Sequence, residues 1–107
     1  MTVKELLLRV PQAIKEGAAA PDSVVQFDME EPIHYVVQGG AVRSVEGVAP
    51  RADVTVKVRQ DDLLKMIEGK LNPMTALMLG KVKVRGDVGL AQRLIKAIDK
   101  DKLLGQG

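Results

Sequence analysis

The chain contains no cysteine and no tryptophan, and it has one phenylalanine and one tyrosine among its 107 residues. Without cysteine it forms neither a disulfide framework nor a thiolate metal site. Two aromatic side chains are too few for the stacking surfaces on which proteins bind single-stranded nucleic acid. The core must therefore consist of valine, leucine, isoleucine, alanine and methionine.

Charge of one sign is also lacking, because 16 basic and 14 acidic residues leave a net charge of +2. So weak a field does not indicate nucleic acid as a partner. No apolar run approaches the roughly 20 residues that span a bilayer. The first residues also lack the basic and apolar regions of a secretory signal. We therefore expect a single cytoplasmic domain over residues 1–107, with no nucleic-acid partner and no stable insertion into a membrane.

The first half of the sequence predicts one helix followed by strands. Thr2 and Glu5 have the spacing of a capping box, and Pro11 ends this helix or opens a short second turn. From residue 24 onward apolar and polar residues alternate, which is typical of half-buried strands. Strands are expected near residues 24–29, 33–37, 41–48 and 53–59, with a hairpin at Gly39-Gly40.

The second half predicts two short helices, a fifth strand and a final helix. Asp61 and Asp62 favour a helix start, Asn72-Pro73 is typical of a second one, and residues 81–85 alternate. The final helix carries apolar residues at helical spacing through Ile98. This order predicts an α+β fold in which one five-stranded sheet is covered by helices on one face, because a sheet covered on both faces would show continuous apolar runs.

The segment from Gly69 to Asp87 resembles the sterol carrier protein 2 (non-specific lipid transfer) family. Gly69-Lys70-Leu71 leads to a short apolar helix, Gly80-Lys81 opens a strand, and Gly86-Asp87 ends it. The order of elements is similar from about residue 3 to residue 98. The resemblance implies a layered domain with a mostly antiparallel, mixed five-stranded sheet and a hydrophobic cavity.

Three features differ from the common family pattern. His34-Tyr35 stands where many members carry a tryptophan, and Leu77-Met78-Leu79 replaces the usual aromatic residues of the short helix. Gly105-Gln106-Gly107 is not a peroxisomal address. We therefore expect a stand-alone, prokaryotic-type member whose ligand is a generic acyl lipid rather than a sterol.

The cavity implied by the resemblance would be walled by the Met- and Leu-rich helices and by the final helix, which would act as its gate. Flexible thioethers and leucines suit acyl chains of varied shape. Composition by itself favours the simpler interpretation that the same residues fill the core. The predicted lining residues are Leu63, Met66, Ile67, Met74, Leu77, Met78, Leu90, Leu94 and Ile98.

Two other groups of residues have simpler explanations. Lys70, Lys81, Lys83 and Arg85 could attract an anionic head group, a coenzyme A phosphate or a membrane surface. We favour the solvated face of an edge strand, where lysines discourage edge-to-edge pairing. His34 has no second histidine, cysteine or suitably spaced carboxylates beside it, so we expect a strand residue and no metal site.

The leading hypothesis is that the chain binds or transfers a lipid or fatty acyl ligand, including an acyl coenzyme A, without catalysis, metal or cofactor. A second hypothesis is a protein-interaction or dimerisation module without bound lipid, such as a homodimer. A third is an enzyme, or an enzyme's accessory subunit, that acts on acyl thioesters. The third is disfavoured because the sequence offers no convergent nucleophile, base and orienting group.

Overall fold

The computed structural model describes residues 2–18 and 21–105. The predicted linker at residues 17–21 includes Ala19 and Ala20, which lie outside the described residues, as do Met1, Gln106 and Gly107. The elements are α1 (Val3–Leu8), a 3₁₀ turn (Val10–Ala13), β1 (Ser23–Asp28), β2 (Ile33–Gln38), β3 (Ala41–Glu46), β4 (Val54–Lys57), α2 (Gln60–Ile67), α3 (Pro73–Met78), β5 (Lys83–Gly86), α4 (Val88–Ala97) and α5 (Lys100–Leu103).

The five strands form one mixed sheet in the order β3-β2-β1-β4-β5. β1 and β4 are parallel, whereas the other three neighbouring pairs are antiparallel. The predicted α+β fold with a mostly antiparallel sheet is therefore confirmed. In the part of the chain that the structure describes, no helix is both long and apolar enough to cross a membrane.

The predicted hairpin joins β2 and β3 through Gly39 and Gly40. Both glycines have positive φ, at 59° and 82°. A two-residue turn with two positive φ angles matches the right-handed twist of the strands that it connects, and glycine adopts it without steric cost. The alternation and this turn together set the register in which Tyr35 faces Ser44.

The helices cover the face of the sheet that carries its apolar side chains. Val25 and Phe27 of β1, Tyr35 of β2 and Val56 of β4 are almost completely buried there. Phe27 and Tyr35 pack edge to face, with ring centroids 5.7 Å apart. The two aromatic residues of the chain therefore lie side by side in the centre of the core.

The opposite face is crossed by the segment 47–53, which carries the chain from β3 at one edge to β4 beyond β1. The side-chain oxygen Oε1 of Gln26 accepts a 2.7 Å hydrogen bond from the Ala49 amide, and its Nε2 lies 3.4 Å from the Gly47 carbonyl oxygen. His34 Nδ1 lies 3.0 Å from the same carbonyl oxygen. Two buried polar side chains therefore hold this segment on the sheet.

The ends of several elements differ from the sequence prediction. β3 ends at Glu46 rather than at residue 48, and β5 begins at Lys83 rather than at residue 81. The final helix ends at Ala97, and Ile98 is extended and bridges Ile14. Two backbone hydrogen bonds hold Ile98 extended beside Ile14. The Lys15 amide donates to the Ala97 carbonyl at 2.7 Å, and the Asp99 amide donates to the Ala13 carbonyl at 2.6 Å.

The sequence prediction also omitted α5. The Asp99 side chain caps this helix by accepting from the amides of Asp101 and Lys102. Leu103, in the last turn, is buried in the core. A four-residue helix is too short to show a hydrophobic period. The only local signal for it is Asp99, a residue type that favours the N-cap position.

Candidate functional site

An apolar cleft lies between α3, α4 and the β4–β5 edge of the sheet. Its volume is about 30 Å³, which is room for roughly two water molecules. Among the described residues that line it, Gln92 alone is polar, and its side-chain Nε2 lies 3.7 Å from the Met74 sulfur. The lining residues are Val56, Met66, Pro73, Met74, Leu77, Val82, Val84, Val88, Ala91, Gln92 and Ile95.

Strand alternation builds the floor of the cleft. Val56 of β4 lies opposite Val84 of β5 in the antiparallel register, so both side chains lie on the helix face. Their neighbours Lys57 and Lys83 lie opposite each other on the other face and are exposed. A single period-two pattern therefore gives this sheet edge an apolar face at the cleft and a basic face outside it.

The helix α3 forms the roof of the cleft. Asn72 caps it by accepting from the amides of Met74 and Thr75, and Gly80, with φ at 75°, lies just beyond its end. Of its six residues only Ala76 is buried. Because so little of α3 is packed in the core, it is the wall that could move at the lowest cost.

The helix α4 forms the remaining wall with Val88, Ala91 and Ile95. Asp87 accepts from the Gly89 amide at 2.9 Å and so begins this helix. Leu90 and Leu94, which the sequence analysis assigned to the cavity, are not among the residues that line this cleft and pack in or against the main core. The residues of α4 that line it, Val88, Ala91 and Ile95, have the i, i+3, i+7 spacing of one helix face.

The structure brings three of the predicted lining residues together at the cleft, which are Met66, Met74 and Leu77. Leu63, Ile67, Leu94 and Ile98 are buried in the main core, and Leu90 is half-buried against it. Met78 has 84% of its surface exposed. The lining of an occupied cavity stays a prediction, with Val82, Val84, Val88, Ala91 and Ile95 as residues that sequence reasoning missed.

The other candidates lie away from the cleft. His34 lies on the opposite face of the sheet, where its ring contacts the Gly47 carbonyl. Asp61 and Asp62 occupy the first turn of α2, as expected. Within residues 2–18 and 21–105 there is no group of three histidine, aspartate or glutamate residues that could hold a metal ion.

Comparison with known proteins agrees with the fold. A family model described as the SCP-2 sterol transfer family matches residues 3–99. Hydroxysteroid dehydrogenase-like protein 2 of Mus musculus is 44% identical over 87 residues, which are 76% of this chain and 18% of that protein. The chain thus spans less than a fifth of this relative's length.

Two solved structures are also similar. The palmitated sterol carrier protein 2 like 2 of Aedes aegypti is 27% identical with a TM-score of 0.62, covering 90% of this chain and 93% of that one. The inverting sec-alkylsulfatase of Pseudomonas sp. is 25% identical with a TM-score of 0.76, covering 84% of this chain and 15% of that one. The family model covers nearly the whole chain, from residue 3 to residue 99, and this match establishes the family. The chain belongs to the SCP-2 sterol transfer family.

Proposed function

We propose that this chain binds the acyl chain of a fatty acid or of a related lipid in the cleft beneath α3, and that it carries this ligand without changing it chemically. One observation carries the proposal. The cleft has apolar walls on all sides except at Gln92, and its roof is a helix with a single buried residue. Such a site removes an alkyl chain from water at about 0.8 kcal/mol per methylene.

The size of the cleft implies that its roof must move. Sites for small molecules commonly have volumes of roughly 300–1,000 Å³, whereas this cleft has about 30 Å³. Moving the apolar side chains of Met74 and Leu77 outward would open the space above Val56 and Val84. The ligand would then replace the contacts that α3 makes, so its binding and the opening of the roof are one equilibrium.

The palmitated relative from Aedes aegypti supports an acyl ligand rather than any other apolar molecule. The same cleft would hold the acyl part of an acyl coenzyme A, with the polar part of that molecule outside the cleft. The roof contributes the aliphatic side chains of Met74 and Leu77 to the cleft and no aromatic ring. Flexible aliphatic side chains, and the unbranched methionine most of all, adapt to an alkyl chain better than a rigid, planar ring would.

Native mass spectrometry of the purified chain, followed by lipid extraction, tests the proposal directly. The expected result is a bound species whose mass is that of a fatty acid or acyl lipid. Because the chain has no tryptophan, Val88→Trp places a single reporter at the mouth of the cleft. Palmitate should shift its emission to the blue in a saturable manner.

Val48→Trp is the matched control, since Val48 is an exposed valine in the crossing segment on the opposite face. Its emission should not respond to palmitate. A chain that carries no lipid and whose Val88→Trp emission is unchanged by palmitate would overturn the proposal.

The exposure of Met78 and Leu79 also favours the second hypothesis, an interaction or dimerisation module. Sedimentation separates the two functions, because a tight homodimer that contains no lipid would support the second. The same proposal excludes catalysis on acyl thioesters. Turnover of an acyl thioester that His34→Gln abolishes would contradict it.

We propose in addition a cytoplasmic location. In the mouse relative the similar region is a minor part of a longer chain.

A further inference from the structure

The end of α3 exposes large apolar side chains. Met78 and Leu79 have 84% and 64% of their surfaces exposed, and Met74, one turn earlier on α3, has 54%. Gly80 and Lys81 follow directly. Neighbouring exposed residues of this size are typical of a surface that contacts an apolar phase or a partner.

Basic residues flank this apolar tip in the sequence. The segment 69–86 contains Lys70, Lys81, Lys83 and Arg85 and no acidic residue. Lys83 lies directly opposite Lys57 across the β4–β5 pair. Like charges in that position destabilise a sheet, and among the described residues neither lysine forms an ion pair. Both lysines are therefore available to contact an anionic group outside the chain.

An open groove of about 920 Å³ joins the basic residues to the end of α3. Its lining includes Gly80 and five cations, Lys57, Arg59, Lys65, Lys81 and Lys83. It also includes the carboxylates of Asp28, Glu30 and Asp62. That of Glu30 accepts a 3.0 Å hydrogen bond from the Gln60 amide at the start of α2. The groove therefore has an excess of positive charge beside the apolar tip.

We propose that this surface, formed by Met74, Met78, Leu79, Lys57, Lys81 and Lys83 and called here the α3–β5 patch, docks on an anionic lipid bilayer. The apolar tip would enter the boundary between head groups and acyl chains, while the lysines contact lipid phosphates. Apolar residues flanked by cations are the combination that favours such interfacial binding. The chain would lie on the bilayer and not span it.

Charge decides between a bilayer and a second copy of this chain. A symmetric dimer through the α3–β5 patch would bring the same surface of both copies together. The lysines of one copy, Lys57, Lys81 and Lys83, would then lie near the lysines of the other copy, and such juxtaposition of like charges is costly. An anionic bilayer supplies the opposite charge and the apolar phase at once.

Docking would also place the mouth of the cleft against lipid, since Met74 belongs to both. The proposal nevertheless goes beyond the proposed function and does not rest on it. A chain that binds no palmitate could still dock on vesicles, and a chain that binds palmitate could fail to do so.

Vesicle flotation tests the proposal with the full chain. Binding is expected to vesicles in which about a third of the phosphatidylcholine is replaced by phosphatidylglycerol, and not to phosphatidylcholine alone. Added salt should weaken it, because exposed charges are screened. Equal binding to both vesicle types, or to neither, would overturn the proposal.

Paired variants locate the surface. Lys81→Gln with Lys83→Gln should weaken vesicle affinity about 25-fold, since each basic residue near an anionic surface contributes about fivefold. Lys15→Gln with Lys96→Gln removes the same charge from exposed positions outside the patch and should have little effect. Circular dichroism and the palmitate titration should be unchanged in both pairs, because none of these lysines lines the cleft. Equal losses in the two pairs would contradict the proposed surface.

A cysteine-free chain allows a single fluorescent label. A polarity-sensitive dye on Met78→Cys should shift to the blue when anionic vesicles are added, whereas the same dye on Val48→Cys should not. A shift at Met78→Cys that depends on protein concentration and needs no vesicles would instead assign the patch to a second copy of the chain. That result, or a shift confined to Val48→Cys, would overturn docking on a bilayer.

Discussion

The Tyr35 hydroxyl donates a 2.6 Å hydrogen bond to the backbone carbonyl of Leu7. This bond joins the last turn of α1 to the centre of the sheet, inside the core. Ser44 makes a similar bond to the next carbonyl, from its hydroxyl to Leu8 at 2.7 Å. Tyr35 and Ser44 lie opposite each other on β2 and β3, so one cross-strand pair contacts two consecutive carbonyls at the end of α1.

Tyr35→Phe should lower the free energy of unfolding by about 1.5 kcal/mol, because it removes a buried hydrogen bond while the Leu7 carbonyl keeps the backbone N–H that it accepts at the end of α1. Urea denaturation followed by circular dichroism measures the change. Ser44→Ala is the matched control. Since its bond is only partly buried, the loss should be smaller, at about 0.5 kcal/mol. A Tyr35→Phe variant as stable as the unsubstituted chain would show that this bond contributes nothing net.

Stability should also fall at high pH because of the same hydroxyl. Burial raises the pKa of Tyr35 well above its ordinary value of 10.0. The folded state therefore keeps its proton where the unfolded state loses it, so stability is full below about pH 10 and decreases above it. The slope for this group is about 1.4 kcal/mol per pH unit. In Tyr35→Phe, the free energy of unfolding from urea titrations should decrease less steeply between pH 9 and 11. Equal slopes in the variant and the unsubstituted chain would show that Tyr35 does not cause the loss of stability at high pH.

Gln26 should control the segment that crosses the outer face of the sheet. Gln26→Ala removes the acceptor of the Ala49 amide and the contact with the Gly47 carbonyl, so we expect a loss of about 2 kcal/mol. Trypsin should then cleave after Arg51 faster than in the unsubstituted chain. Gln38→Ala, at an exposed glutamine at the end of β2, is the control and should leave cleavage unchanged. Unchanged cleavage in Gln26→Ala would mean that the segment is held by other contacts.

Gly86→Ala should be the most damaging glycine substitution. Gly86 has φ at +102°, and an added Cβ would clash with the backbone oxygen of Asp53, the residue just before β4. Because neither strand can move without breaking the β4–β5 pairing, we expect a loss of about 3 kcal/mol or more. Gly40→Ala has φ at +82° but open space around it, so its loss should be about 1–2 kcal/mol. Thermal unfolding compares the two, and equal losses would show that φ and not the clash determines the cost.

Ala91→Leu should block the cleft. Ala91 lines it from α4 and is nearly buried, so a larger side chain would occupy the space that a ligand needs. Palmitate affinity should fall at least tenfold, and overpacking should cost about 1–3 kcal/mol of stability. Ala97→Leu, on the same helix outside the cleft, should lose similar stability but retain palmitate binding. Retained binding in Ala91→Leu would place the ligand elsewhere.

Local patterns predicted most of the fold. The capping box at Thr2, the hairpin at Gly39-Gly40 and the cap at Asn72 each depend on residues close in sequence, and all three are present. Ile98 was assigned to the final helix because its spacing continues the apolar stripe. Ile98 instead forms a bridge with Ile14, which is far away in the sequence, and the helix ends at Ala97. A local sequence pattern cannot reveal such a long-range contact.

The candidate site was predictable only in part. Met66, Met74 and Leu77 were expected at a cavity and lie at the cleft. On α4 the larger leucines were expected there, yet Ala91 and Ile95 face the cleft. Two adjacent stripes of one amphipathic helix are both apolar, and the rotation of the helix against the sheet determines which of them contacts the core.

The sequence by itself determined the class of this protein. Alternation, turn glycines, caps and the motif from Gly69 to Asp87 are local, and local chemistry specifies elements and their order. Only the tertiary structure decided that Lys57 opposes Lys83 and that α3 is a lightly packed roof with an exposed tip. These features arise from strand pairing and burial between residues far apart in the chain, where packing of the whole core selects one arrangement from many that the pattern allows.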